Sequence, residues 1–134
     1  DAVIGAMCAV RKNTDAAEKM KEMVAKIGLM PRQETIVKVV STMRANKDIW
    51  RAVEMIDFLE KAGFPVCFEC YELVVEGCLD CGEFVLAGKV VMAMTRRGFI
   101  PYIKARQKVV EGLASVGEQE LSSAVRQKFV ELKS

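Results

Sequence analysis

Glycine recurs at Gly28, Gly63 and Gly98, each 35 residues from the next, and that fixed stride constrains the fold more than any other feature of the chain. Each of the three sits in a similar phrase: Lys26-Ile-Gly-Leu-Met-Pro31, Lys61-Ala-Gly-Phe-Pro65 and Arg97-Gly-Phe-Ile-Pro101. Eleven residues before each glycine stands an alanine: Ala17, Ala52 and Ala87. Glycine, alanine and proline are therefore read as one register. A period of this length marks a helical repeat array, whose units cannot bury an apolar face alone and stack on their neighbours.

Each stride divides into two helices. Asp1 to about Val10 reads as the remnant of a first helix, and Thr14-Asp15 as the cap of a second with Ala17, Met20, Val24 and Ile27 on one stripe. Gly28 stops it, because glycine takes the left-handed conformation that closes a helix. Ile36, Val39, Val40 and Met43 form the next stripe; Asn46 ends it, and Asp48 is expected to cap a partner helix carrying Ile49, Ala52, Val53, Ile56 and Leu59. The third stride carries Tyr71, Val74, Val75 and Cys78, then Phe84, Ala87, Val90, Val91 and Met94. The fourth carries Val109, Val110 and Leu113, then Leu121, Val125, Phe129 and Leu132. Gly82 and Gly117 repeat the internal turn, and the small residues Ala17, Ala52, Ala87 and Ser122 fall where paired helices would cross. Trp50 is expected to pack at a seam between units. The fold expected is an all-α, right-handed solenoid of about four units, residues 1–31, 32–66, 67–101 and 102–134, forming one domain.

Composition agrees with this. Of 134 residues, 51% are hydrophobic and only 7% aromatic, which suits helix packing, and a net charge of +2 does not by itself announce a nucleic-acid partner. No apolar run approaches the roughly 18 residues of a membrane-spanning helix, so no membrane partner is expected. No targeting segment is visible, and a start at Asp1 inside a repeat leads us to expect sequence upstream. Five cysteines in a helical chain point to a reducing compartment.

Chemistry is sparse. The chain has no histidine, and it lacks a phosphate loop, a dinucleotide glycine pattern and a nucleophile elbow, so no enzymatic activity is expected. Cys67-x-x-Cys70 and Cys78-x-x-Cys81 have the outline of a four-thiolate zinc site. The repeat register instead sets the pairs at opposite ends of one helix, roughly 16 Å apart over eleven residues, too far for one tetrahedral ion. No metal or cofactor is expected. Charge is unevenly laid out. Phe84 to Val110 holds Lys89, Arg96, Arg97, Lys104, Arg106 and Lys108 with no acid, whereas Asp57 to Glu83 holds seven acids and Lys61 alone. Glu69, Glu72 and Glu76 share one helix face. Either patch is also compatible with an ordinary solvated face.

The third stride resembles a pentatricopeptide repeat: Cys70-Tyr-Glu-Leu-Val-Val-Glu-Gly77, then Cys81-Gly82, Ala87, Met94, Arg97-Gly98 and Pro101. The likeness covers almost the whole chain, and its short array with atypical outer units resembles the small plant-type members (chloroplast splicing-factor-like, thylakoid-assembly type). What the resemblance implies is a protein that binds single-stranded organelle RNA, an intron above all, and assists its splicing or processing. It implies the chloroplast stroma, with the mitochondrion as alternative. In this family the first helices line a concave surface and each repeat reads about one base. The principal reading position falls on Ala2, Val37, Glu72 and Gln107, and the second on Arg32, Cys67 and Tyr102. All depart from the family's preferred residues, so no target sequence is decoded. By the same likeness the glutamate row lies on the concave face and repels phosphate, while the basic segment supplies phosphate contacts. The residues expected to meet RNA are Arg32, Val37, Lys38, Arg96, Arg97, Tyr102, Lys104, Gln107 and Lys108. A homodimer formed on RNA is the expected assembly. The alternative is a helical adaptor that binds protein and makes no direct RNA contact.

Overall fold

A computed structural model describes residues 32–133 of the chain. They form α1 (Gln33–Ala45), α2 (Ile49–Lys61), α3 (Phe68–Asp80), α4 (Phe84–Arg96), α5 (Ile103–Ser115) and α6 (Gln119–Lys133), with no strand among the described residues. First helices begin at Gln33, Phe68 and Ile103, second helices at Ile49, Phe84 and Gln119, so both series repeat with the 35-residue stride. The expected cap at Thr14-Asp15, the stripe from Ala17 to Ile27, the stop at Gly28, Pro31 and Ala2 lie outside the described residues.

The five helices α1 to α5 have 13 residues each. At that length, about 20 Å, a helix is marginal alone in water and depends on burying its apolar face. Contacts divide the chain into two compact units after Leu73, within α3. In the first unit α1 packs on α2. Its core is Ile36, Val39, Val40 and Met43 against Ile49, Ala52, Met55, Ile56 and Leu59, all buried. In the second unit α4, α5 and α6 pack on one another. Val74, Val75 and Cys78 of α3, Leu86, Ala87, Val90, Val91 and Met94 of α4, Val109 and Leu113 of α5, and Val125 and Phe129 of α6 are buried there. Val39, Val74 and Val109 are one position repeated, and all three are fully enclosed.

Close approach between paired helices follows from small side chains. Ala52 and Ala87 are fully buried, and Ser122, their counterpart, donates its hydroxyl to the Val110 carbonyl at 2.9 Å, linking α6 to α5. Gly112 serves the same end elsewhere: a Cβ at this position would lie 2.2–2.6 Å from three carbons of the Phe84 ring, well inside contact distance. Tyr71, buried on α3, donates its phenol to Glu60 at the end of α2.

Each of α1 to α5 closes in the same way. Two residues past the last helical cap position, an N–H reaches back to a carbonyl five residues earlier: Asp48 to Met43, Phe64 to Leu59, Glu83 to Cys78, Phe99 to Met94 and Glu118 to Leu113, at 2.8–3.0 Å. The residue before each donor bonds the next carbonyl along, as in Lys47 to Arg44 or Gly63 to Glu60. This paired closure requires a left-handed residue. Gly63, Gly82, Gly98 and Gly117 fill that place with φ between 71° and 88°, but after α1 the residue is Lys47 at φ 60°.

Several sequence expectations are corrected. Asp48 occupies the N-cap position of α2 without a side-chain cap bond; its carboxylate pairs with Arg51 at 3.4 Å instead. Trp50 is 59% exposed and is not a seam residue, because it lies one step beyond the buried Ile49 on the outer face of α2. Leu132 is exposed near the end of α6, whereas Met55 and Leu86 are buried core residues that the stripes omitted. Proline does not keep the register: Pro101 is buried, but its counterpart in the preceding connection is the buried Val66, and Pro65 is an exposed residue one place earlier.

Substitutions at one repeated turn and at one helix crossing test these roles. An L-residue held in the left-handed region costs about 1–2 kcal/mol, and glycine's larger unfolded-state entropy returns part of any gain. Lys47→Gly should therefore stabilise the protein by about 0.5–1 kcal/mol, roughly 2–4 °C in Tm, and Gly82→Lys should do the reverse in a thermal melt. Gly112→Ala should destabilise by about 1–3 kcal/mol, although alanine is the better helix former. Pairing it with Phe84→Ala should cost less than the two single changes summed, when measured by urea unfolding.

Candidate nucleic-acid interface

The second unit gathers most of the cations and the exposed aromatic singled out from sequence. Arg96 ends α4 and Arg97 caps it, both exposed, and the Arg97 guanidinium lies 5.5 Å from the centroid of the Phe99 ring. That contact orients the side chain along the α4–α5 connection, at a worth of about 0.5–1 kcal/mol for an exposed pair. Further along, Tyr102 stands at the N-cap of α5 in extended backbone (φ −60°, ψ 154°) and is 64% exposed. Lys104, Gln107 and Lys108 follow on the first turns, all exposed. Lys89, on α4, is exposed as well.

Helical geometry separates these residues. Lys104 and Lys108, four apart, share a face of α5. Gln107 lines a groove between α5 and α6 with Ile103, Arg106, Val110 and Arg126. Lys108 borders a second groove with Leu79, Asp80, Phe84 and Glu111, so two carboxylates share its surroundings. The basic character is therefore concentrated on Arg96, Arg97 and Lys104, with Tyr102 between them in sequence. Arg106, counted among the six cations, is half-buried, and its Nε is enclosed without a hydrogen-bond partner.

Arg32, Val37 and Lys38 belong to the first unit. Arg32 precedes α1 in extended backbone, the same setting as Tyr102 two repeats later (φ −75°, ψ 150°). Arg32 and Lys38 are exposed and Val37 is half-buried. At the repeated first-helix position, Val37 is half-buried, Glu72 is 5% exposed and Gln107 is open. The row Glu69, Glu72, Glu76 is accordingly not a uniform solvated stripe: Glu69 is exposed, Glu76 half-buried and Glu72 enclosed. Sequence spacing put the three on one side of α3, but spacing carries no information on which of them a neighbouring element covers.

Helix α3 is continuous from Phe68 to Asp80, as the repeat register required, and it places the two cysteine pairs at its two ends. Cys70 and Cys78 are fully buried, Cys67 and Cys81 half-buried. Burial pushes the Cys78 thiol up to about 12 and the Cys70 thiol further still. Among the described residues no group of three or more acidic, cysteine or histidine side chains is placed to hold a metal ion. What the spacing did not disclose is that the sulfurs of Cys67 and Cys70 touch, at 3.4 Å. The Cys-x-x-Cys pattern was its signal, legible as a pair rather than as half of a zinc site. No helix among the described residues is long and apolar enough to cross a membrane.

No family model matches the chain. Over 111 residues, 83% of its length, it is 58% identical to the Arabidopsis thaliana protein named pentatricopeptide repeat-containing protein At1g06270. The chain spans 32% of that relative's length. This identity extends across most of a chain whose described residues form helix pairs at a strict 35-residue stride, and the chain belongs to the pentatricopeptide repeat family, with an all-α helical-repeat solenoid fold.

Proposed function

We propose that this chain is a non-enzymatic module that binds single-stranded organelle RNA through the α4–α5 connection and the first turns of α5. In this reading it assists splicing or processing of an intron-containing transcript, in the chloroplast stroma or, alternatively, the mitochondrion. One observation carries it: an acid-free segment in which Arg96, Arg97, Tyr102 and Lys104 are all exposed. Cations interleaved with an exposed aromatic suit a single strand, whose phosphates take the charges while an unpaired base stacks on the ring. Family membership supports the same ligand class. Arg32 and Lys38 offer a second set of contacts from the first unit, and Val37 and Gln107 occupy the positions from which bases would be read.

Replacing Arg96, Arg97, Lys104 and Lys108 together by Ala should weaken binding to a short single-stranded RNA. It should also flatten the salt dependence of affinity by about 0.7 in log–log slope for each phosphate no longer neutralised. Lys108, with Asp80 and Glu111 nearby, should contribute least. Tyr102→Ala should cost about 1–3 kcal/mol of binding if a base stacks there, with little change in salt slope. Affinity unchanged in both variants, with helical content intact by circular dichroism, would favour the adaptor reading without RNA contact.

A strand contact made by so few repeats is short. Two copies on one strand make the second contact effectively intramolecular and raise affinity without new chemistry. Sedimentation should therefore show a monomer or weak dimer alone and two chains per oligonucleotide when RNA is added. One chain per RNA at every protein concentration would exclude that assembly.

A further inference from the structure

Cys67 ends the connection after α2, and Cys70 lies in the first turn of α3. Three-residue spacing across a helix start sets both side chains on one face, and here the sulfurs are in contact at 3.4 Å. A disulfide bond is about 2.05 Å long, so side-chain rotation of little more than an ångström joins them. Their environments differ in a useful way. Cys67 is half-buried and so partly open to a small reagent, whereas Cys70 is fully buried. Burial, and then the neighbouring Cys67, hold the Cys70 thiol well above its ordinary range.

We infer that Cys67 and Cys70 form a thiol–disulfide exchange site whose reaction partner is a low-molecular-weight disulfide. The Cys67 thiolate attacks one sulfur of that disulfide. The old S–S bond breaks, one small thiol leaves with a proton from solvent, and Cys67 is held as a mixed disulfide. Cys70 then gives up its proton and attacks the Cys67 sulfur, expelling the second small thiol. Two protein thiols and one small disulfide become one protein disulfide and two small thiols, and two electrons pass from protein sulfur to the reagent. Contact between the sulfurs makes the second step intramolecular and pre-aligned. Glu69, exposed in the same turn, disfavours anionic reagents and favours uncharged ones. The Cys78–Cys81 pair at the far end of α3 serves as an internal comparison, since it straddles a helix end and not a helix start.

The test treats the folded chain with hydroxyethyl disulfide, an uncharged probe, alkylates the remaining thiols and maps all five cysteines by peptide mass spectrometry. The expected product is a Cys67–Cys70 disulfide that dithiothreitol reverses, with helical content unchanged by circular dichroism. Cys70→Ser should stop at a stable mixed disulfide on Cys67, and Cys67→Ser should leave Cys70 unmodified. Burial lowers the Cys70 thiolate fraction while the fold holds the two sulfurs in contact, so closure from the mixed disulfide, compared per Cys70 thiolate, should be about tenfold or more faster in the folded chain than in urea. The inference is overturned if the native chain itself stops at the mixed disulfide, if the disulfide joins other cysteines, or if folded and unfolded chains close at the same rate per thiolate.

Discussion

The structure depends on a single backbone requirement met five times: a left-handed residue that lets two N–H groups fold back onto the last carbonyls of a helix. Without that closure a 13-residue helix would fray, since helices of this length have little stability of their own. With it, the chain reverses in three residues between α1 and α2, between α3 and α4, and between α5 and α6. In these three turns the donor that completes the closure also stands at the start of the next helix. Asp48 and Glu83 take this double duty at the N-caps of α2 and α4, where the helix dipole favours negative charge.

Pairing then rests on what the second helices leave out. Ala52, Ala87 and Ser122 remove bulk at one repeated crossing, and Gly112 makes room for the Phe84 ring. Charge is free to vary on the surfaces that remain, and it does so by segment. Cations collect on the α4–α5 connection, where backbone must leave the helices and is open to water. Carboxylates collect along α2 and α3, one of them enclosed. The candidate RNA contacts are thus placed by the connection following a closed helix, and not by a preformed pocket.

Much of this was legible in the sequence because the stride repeats side chains as well as lengths. The stripes Ile36-Val39-Val40-Met43 and Tyr71-Val74-Val75-Cys78 could be read directly and are buried as read. The turn at Lys47 could not be assigned a left-handed residue from composition, since the closure imposes the conformation on whatever residue stands there. Trp50 misled because a large aromatic is expected inside, yet its place is set by the phase of the helix and not by its size. Pro65 and Pro101 look equivalent until the backbone shows Val66 in the buried slot. The candidate interface was legible as a run of charges; the separate grooves of Gln107 and Lys108, the enclosure of Glu72 and the contact of Cys67 with Cys70 depend on rotation about helix axes and on neighbouring elements. None of these follows from spacing alone.

The repeated closure also bears on how such a chain reaches its native state. Every turn bond described joins residues only three to five positions apart, and the helix pairs they create are adjacent in the chain. Little loop entropy is lost before contacts form, which is the condition for rapid folding. Order can then begin at any one hairpin of helices and spread to its neighbours, as in other linear arrays. A chain built in this manner acquires or loses whole 35-residue units more readily than single residues, because a one-residue slip would misplace every buried side chain downstream whereas a full stride would misplace none.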